Sequence, residues 1–513
     1  LIRAGADIEA GKGEAGTPLH LAALRGNCSV MKLMIEQGSD VNALSESIGP
    51  VINAAIRSGT VDAVKLVMSG DIHFDFDYTK CEAPLSLSAG ISEPGLFRDI
   101  LQSGRSKWLQ NAKLVDQALV AASYSGRLES VMILLGFTHN YTNNTLENAV
   151  LSAALEKKWP TVDALLDYII KDTTQGNRRD VILDEVFHLA STGREEQLPI
   201  LKKIWKFKNG SISKAVCDHS LYEAAALNKT STVDWLLDTC DANANATSER
   251  PSSTITYQAN SALLNDLWNP LNAAASFGNA AMLKSLIRKG ARIDSNRGYA
   301  LQLAASEGHT EAVQTLLKHG ALADRRVADS EELGFFDGTA LQAACDNKRV
   351  EVVRCLLEHG ANPNLGGGTF SSPIIAATQK AQPEILELLV RAPGINVNVV
   401  GSEDLSTPLI NAAANMSMSA VKLLIQHGAE IDAKNAAGDT ALIMAAWRGD
   451  EDCVELLCNE GADVTYRSPG RGLAIVAAAS ALHPSCATVL ADKMGLNIET
   501  YREQGKSCSQ FPK

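Results

Sequence analysis

The sequence predicts an all-α solenoid, a stack of two-helix units, on three observations. A unit of about 33 residues recurs along nearly the whole chain. Aromatic residues make up only 5% of a chain that is 45% hydrophobic, so the core falls to Ala, Leu, Val and Ile, which let helices pack closely. Glycines occupy fixed places in the unit, where helices must turn or stop. A length of 513 residues suits several domains or one elongated array. The period selects the array, because such units bury their apolar faces against their neighbours.

The first full copy shows each element in order. Gly16-Thr17-Pro18-Leu19-His20-Leu21-Ala22-Ala23 opens a first helix, Gly26-Asn27 turns the chain, Val30 to Ile35 supplies the apolar stripe of a second helix, and Gly38-Ser39-Asp40-Val41-Asn42 forms a finger. Related segments begin near Pro50, Pro84, Gln117, Asn148, Ser220, Pro270, Gly298, Thr339, Ser372, Thr407, Thr440 and Gly472, and a weaker one at Leu183. That makes about fourteen units, plus the end of a truncated one over 1–10. N-terminal units occupy 11–83. Divergent ones fill 84–269, with an insertion near 243–262, and C-terminal ones fill 270–513, with an insertion near 325–338.

Local chemistry justifies the helix ends. Thr440 is placed to cap the helix beginning Ala441-Leu442, where early N–H groups lack intrahelical partners. In Thr407-Pro408 the proline stands where no donor is needed. Paired alanines, Ala22-Ala23, Ala304-Ala305 and Ala445-Ala446, allow close approach between first helices. Gly320, Gly360, Gly428 and Gly461 stand where second helices stop, a position that favours a left-handed residue. His319, His359 and His427 precede three of these glycines, near the negative end of each helix, which favours a stabilising role over ligation.

The segments Thr17-Pro18-Leu19-His20-Leu21-Ala22-Ala23, His359-Gly360-Ala361-Asn362-Pro363-Asn364 and His427-Gly428-Ala429-Glu430-Ile431-Asp432-Ala433 closely resemble the signatures of the ankyrin-repeat family. Thr440-Ala441-Leu442 and Glu460-Gly461-Ala462-Asp463-Val464 resemble them too, and the resemblance is densest from 270 to 466 and thinnest from 84 to 220. It implies an ankyrin-repeat solenoid of stacked antiparallel helix pairs with projecting β-hairpin-like fingers, curved around a concave binding face, and recognition of another macromolecule.

Departures from the period are the functional clues. The insertion at Ser248 to Tyr257, and a second at Asp324 to Gly338 carrying Phe335-Phe336 between acids, are expected to project from the stack. Surface-loop length alone explains them equally well. Trp108 marks a place where repeat phase is repaired or a partner docks. The run Leu201-Lys202-Lys203-Ile204-Trp205-Lys206-Phe207-Lys208 reads as a helix with Leu201, Ile204, Trp205 and the stem of Lys208 on one face and the other lysines in water.

Catalytic patterns fail on context. Gly11-Lys12-Gly13-Glu14-Ala15-Gly16 spells a dinucleotide fingerprint but lies in a finger, without the strand and helix that motif needs. Gly366-Gly367-Gly368-Thr369 has no phosphate-binding lysine. Asp184 with His188, and Cys217, His219, Cys240 and Asp241, supply ligand-type atoms without the spacing of a zinc site. No nucleophile elbow or HExxH motif is present. No cofactor, metal or catalytic residue is expected.

Asp and Glu number 59 against 47 Lys and Arg, a net charge of −12, which argues against general binding to nucleic acid or acidic membrane. No apolar stretch is long enough to span a bilayer, and the first residues have no apolar core of a signal peptide. The ten cysteines form no CxxC pair, which favours reduced thiols in an intracellular protein, cytoplasmic or nuclear. Because Leu1 opens in mid-unit, the chain is expected to belong to a longer protein.

The reading these observations support is a noncatalytic recognition or scaffold module that binds a protein or peptide through its concave face and fingers. Asp40, Asn42, Tyr257, Phe335, Phe336, Asp337, Asn364, Asp432, Asp439 and Asp463 are the candidate contact residues. The acids among them favour a basic partner. A structural or regulatory arm of a larger protein, and an atypical enzyme with a pocket built on the solenoid, are the alternatives.

Overall fold

A computed structural model describes residues 7–10, 16–73, 82–91, 93–103, 112–137, 141–171, 180–193, 195–246, 269–294, 299–326, 338–367, 372–402 and 404–496. Among them are 28 helices and two short hairpins. The chain divides into two compact units, Leu1–Ser220 and Leu221–Lys513.

In Leu221–Lys513 the helices alternate between a short inner type and a slightly longer outer one. The hydroxyls of Thr339, Thr407 and Thr440 accept N–H groups of Gln342, Ile410 and Ile443 at 3.2, 3.4 and 3.4 Å, which starts the helices Ala340–Asp346, Pro408–Ala414 and Ala441–Arg448. Each such cap contributes about 1 kcal/mol. Ala304 and Ala305 are fully buried, as are Ala445 and Ala446. In the outer helix Thr310–Lys318 the stripe Ala312, Val313 and Leu316 is fully buried, the spacing of one helical face.

The ends of the outer helices repeat one device. The Nδ1–H groups of His319, His359 and His427 each donate to the carbonyl four residues back, Thr315, Cys355 and Leu423, at 2.8 Å. A carbonyl that the helix leaves open is thereby satisfied. The next residue is left-handed, with φ of +97° at Gly320, +81° at Gly360 and +85° at Gly428.

Leu1–Ser220 keeps the helix pairs but lengthens them where the sequence signatures thin out. Ala112–Tyr124, Asn143–Leu155, Trp159–Lys171 and Asp180–Thr192 have 13 residues each. Larger side chains fill the extra interior: Phe97 and Phe187 are fully buried, and Trp159 nearly so. Its indole edge lies 3.2 Å from where a Cβ on Gly193 would stand, so glycine makes room for it.

In the same unit the lysine-rich helix Leu198–Phe207 buries Ile200, Leu201 and Ile204. Lys203 bonds Asp163 and, at 2.9 Å, Asp167; burial opposes its charge, but the two carboxylates outweigh it and raise its pKa. Lys208 has a nearly buried side chain that meets Asp184 at 2.5 Å. Two lysines of the run are therefore matched inside the fold.

The five fully or nearly buried cysteines Cys217, Cys345, Cys355, Cys453 and Cys486 are free thiols, and burial pushes Cys345 and Cys453 well up. No described helix is long and apolar enough to cross a membrane.

Candidate protein-recognition surface

The fingers are built from short polar residues that bond in two directions. Within a finger, a side-chain oxygen accepts the N–H two residues on: Asp40 from Asn42 at 2.8 Å, Asn362 from Asn364 at 3.0 Å, Asn396 from Asn398 at 2.9 Å and Asp463 from Thr465 at 2.9 Å. This is the turn chemistry that Asn and Asp favour. Between fingers, an earlier side chain accepts a later backbone N–H. In Leu1–Ser220, Glu9 accepts from Asp40 at 2.9 Å, and Asn42 accepts from His73 at 2.8 Å.

In Leu221–Lys513 the same ladder is longer. Asn245 accepts from Arg292, Asp294 from Leu322, Asp324 from Asn362, Asn364 from Asn396, Asn398 from Glu430 and Asp432 from Asp463, at 2.7 to 3.3 Å. Where the residue is Asn, its amide also donates to the next finger: Asn42 to Asp71 O, Asn245 to Gly290 O, Asn364 to Gly394 O and Asn398 to Gly428 O.

A second network ties the turns between paired helices in the opposite sense. A later side chain donates to a carbonyl at the end of the preceding inner helix: His309 to Ser276 O, Arg349 to Ser306 O, Lys380 to Asp346 O and Asn415 to Thr378 O, at 2.7 to 2.9 Å. Amides and cations suit these positions, because the helix end concentrates partial negative charge.

The candidate contact residues therefore have structural employment. Asp40, Asn42, Asn364, Asp432 and Asp463 hold their own finger or the next one, and they are spread along the ladders instead of converging. Asp439, expected on a finger surface, is fully buried. Its carboxylate accepts the Ser468 hydroxyl at 2.6 Å and pairs with Arg471. Burial is affordable because the charge is matched and hydrogen-bonded. Tyr257, Phe335, Phe336 and Asp337 lie outside the described residues, as do Trp108, Gly368, Thr369 and the insertion at 248–257.

The ligand-type residues are also engaged. Asp184 pairs with Lys208, and the rings of His188 and His219 lie against each other, tilted by 40°, with centroids 4.7 Å apart. Burial, with the His219 charge adding to it, lowers His188 to about 4, and burial lowers His219. Among the described residues no three His, Cys, Asp or Glu side chains converge to hold a metal ion.

Residues absent from the sequence-based candidates draw together instead near 430–471. Lys434 Nζ lies 4.2 Å from the Tyr466 ring centroid, and the Arg471 guanidinium 4.9 Å from the Trp447 ring. Ser468-Pro469-Gly470-Arg471, turn chemistry flanked by Arg467 and Arg471, was the available signal.

Family models described as ankyrin repeats match residues 16–46, 221–329, 323–401 and 374–468. The chain belongs to the ankyrin-repeat family. Ankyrin repeats are protein–protein interaction modules. One curated relative, the ankyrin repeat protein FPV244 of fowlpox virus (strain NVSL), is 32% identical over 68 residues, 13% of this chain and 10% of that protein. The match thus spans about a tenth of the relative's length. Among solved structures, the human ASB11 ankyrin repeat domain is 29% identical, covering 44% of this chain and 97% of that one, with a TM-score of 0.37. The ankyrin repeat domain of Bcl-3 is 26% identical, covering 43% and 97%, with a TM-score of 0.38.

Proposed function

We propose that this ankyrin-repeat chain is a noncatalytic recognition or scaffold module that holds a protein partner along its inner helices and fingers. The observation that carries the reading is the run of finger-to-finger hydrogen bonds from Asn245 to Asp463. It holds successive fingers in fixed register before any partner arrives, which lowers the ordering cost of a distributed interface. Asp40, Asn42, Asn364, Asp432, Asp439 and Asp463 contribute mainly by positioning the fingers. Tyr257 and the segment Phe335, Phe336 and Asp337 are proposed to add contacts from the insertions. The exposed finger acids Asp40, Asp432 and Asp463 would suit a basic segment of a partner, and the cations near 430–471 add charge of the opposite sign.

The test is hydrogen exchange of the full chain with and without a partner enriched from extract, beside the paired variant Phe335→Ala, Phe336→Ala. Protection along the fingers and inner helices supports the reading. Protection confined to the outer helices sinks it. Loss of affinity in the paired variant, with the fold retained, assigns the insertion to the interface.

A further inference from the structure

Three neighbouring fingers in Leu221–Lys513 are tied together at their rims as well as at their bases. The Asp404 carbonyl accepts the Ala436 N–H at 2.8 Å, and the Gly438 carbonyl accepts the Tyr466 phenol at 2.9 Å. Asp439 joins the second finger to Ser468 and Arg471 on the third. The third finger is itself a hairpin, with Arg467 opposite Leu473 and Ser468 opposite Gly472. The rim is thus a bonded surface, in which a partner has little left to order.

Its chemistry is cationic and aromatic. Lys434 and Arg467 are exposed, and Trp447, near the end of Ala441–Arg448, keeps 37% of its surface in water. Two of the cations lie over rings, Lys434 on Tyr466 and Arg471 on Trp447. A cation held on an aromatic face still points donors outward, and a guanidinium so held keeps an edge suited to a carboxylate. The Arg471 Nε is buried with no acceptor.

The local acids offset part of this charge and leave Lys434 and Arg467 exposed. Asp439 is buried and matched by Arg471, and Asp463 turns its carboxylate to the N–H and hydroxyl of Thr465. We propose that this rim binds an extended acidic protein segment, its carboxylates set against Lys434 and Arg467 and its apolar atoms against Trp447. The inference rests on the recognition reading above and adds the class of partner. A protein segment is favoured over nucleic acid, because two exposed cations on a chain of net charge −12 make a poor phosphate track.

The experiment uses the full chain and fluorescein-labelled peptides, a glutamate hexamer and a lysine hexamer, with an oligothymidine strand as competitor. The glutamate peptide is expected to bind saturably, to weaken with added salt, and to lose about tenfold or more in the double variant Lys434→Glu, Arg467→Glu. Both side chains are exposed, and matching thermal melts show that the variant is folded; Trp447→Ala gives an independent weakening. Glutamate binding untouched by the reversal, equal or tighter binding of the lysine peptide, stronger binding of the oligonucleotide, or no binding of the glutamate peptide each overturns the proposal. Tighter lysine binding mapped to the same fingers leaves the recognition reading standing with a different partner class, whereas exchange protection confined to the outer helices removes the recognition reading itself.

Discussion

Burial holds three imidazoles of Leu1–Ser220 below their usual affinity for protons. His20 is fully buried; its Nδ1 accepts the Thr17 N–H at 3.1 Å, so its Nε2 carries the proton and donates to Gly49 O at 3.0 Å. His188 and His219 lie in contact, and a second positive charge in that pair meets repulsion as well as desolvation. A base whose folded pKa is lowered binds protons better when unfolded. Its contribution is therefore present above the ordinary value of 6.5 and lost as pH falls, for His188 toward about 4. Asp116 runs the other way, since burial raises its carboxyl. Urea midpoints should fall between neutral pH and about pH 5, and His188→Leu should make that fall shallower; an unchanged slope would show that the pair does not govern it.

Single finger residues should differ in weight. Asn364 makes a bond from each end of its amide to the next finger, whereas Asp432 accepts one N–H. Asn364→Ala is expected to cost about 1–2 kcal/mol and Asp432→Ala about half that, measured by urea unfolding. Arg471→Ala should cost more, about 2–4 kcal/mol, because it leaves the Asp439 carboxylate buried without its counterion.

Within the elements, turns and helix ends obey backbone geometry more than side-chain contact. Gly428 and Gly449 are both left-handed, at φ +85° and +82°. A Cβ on Gly428 meets nothing within 4 Å, while one on Gly449 stands 2.4 Å from the His483 ring. Gly428→Ala should therefore lose about 1 kcal/mol, the conformational cost alone, and Gly449→Ala roughly twice that. Leu482 presents the reverse case, a left-handed residue at φ +63° with 85% of its surface exposed. Leu482→Gly sheds strain and little packing, so it should raise the melting temperature slightly, by about 0.5 kcal/mol of stability; a clear loss would mean that the side chain is packed in solution.

Across each unit, much of the architecture was legible in the sequence and much of the site was not. Thr-Pro and paired-alanine segments placed the inner helices because capping and close packing allow few substitutes. The histidines before glycine were readable for the same reason: one geometry recurs, from His319 to His427. In the divergent region those signatures disappear, because 13-residue helices with Phe97, Phe187 and Trp159 in the interior reach the same pairing by bulk. Of the finger acids, Asp439 misled for a physical reason. Composition shows that Asp432 and Asp439 are charged, but not which neighbouring N–H, hydroxyl or guanidinium claims them. Trp447 and Arg471 meet across 24 residues of sequence, a proximity that only the folded hairpin creates.

The finger ladder has a direction. At every rung the side chain comes from the earlier finger and the backbone N–H from the later one, from Glu9 with Asp40 to Asp432 with Asp463. A chain divided between two rungs therefore yields one fragment whose last finger offers side chains and another whose first finger offers backbone, like the two halves of a keyed connector. Fragments of Leu221–Lys513 separated near Gly367 should rejoin in their native order, with the Asn364 amide finding Asn396 N–H and Gly394 O.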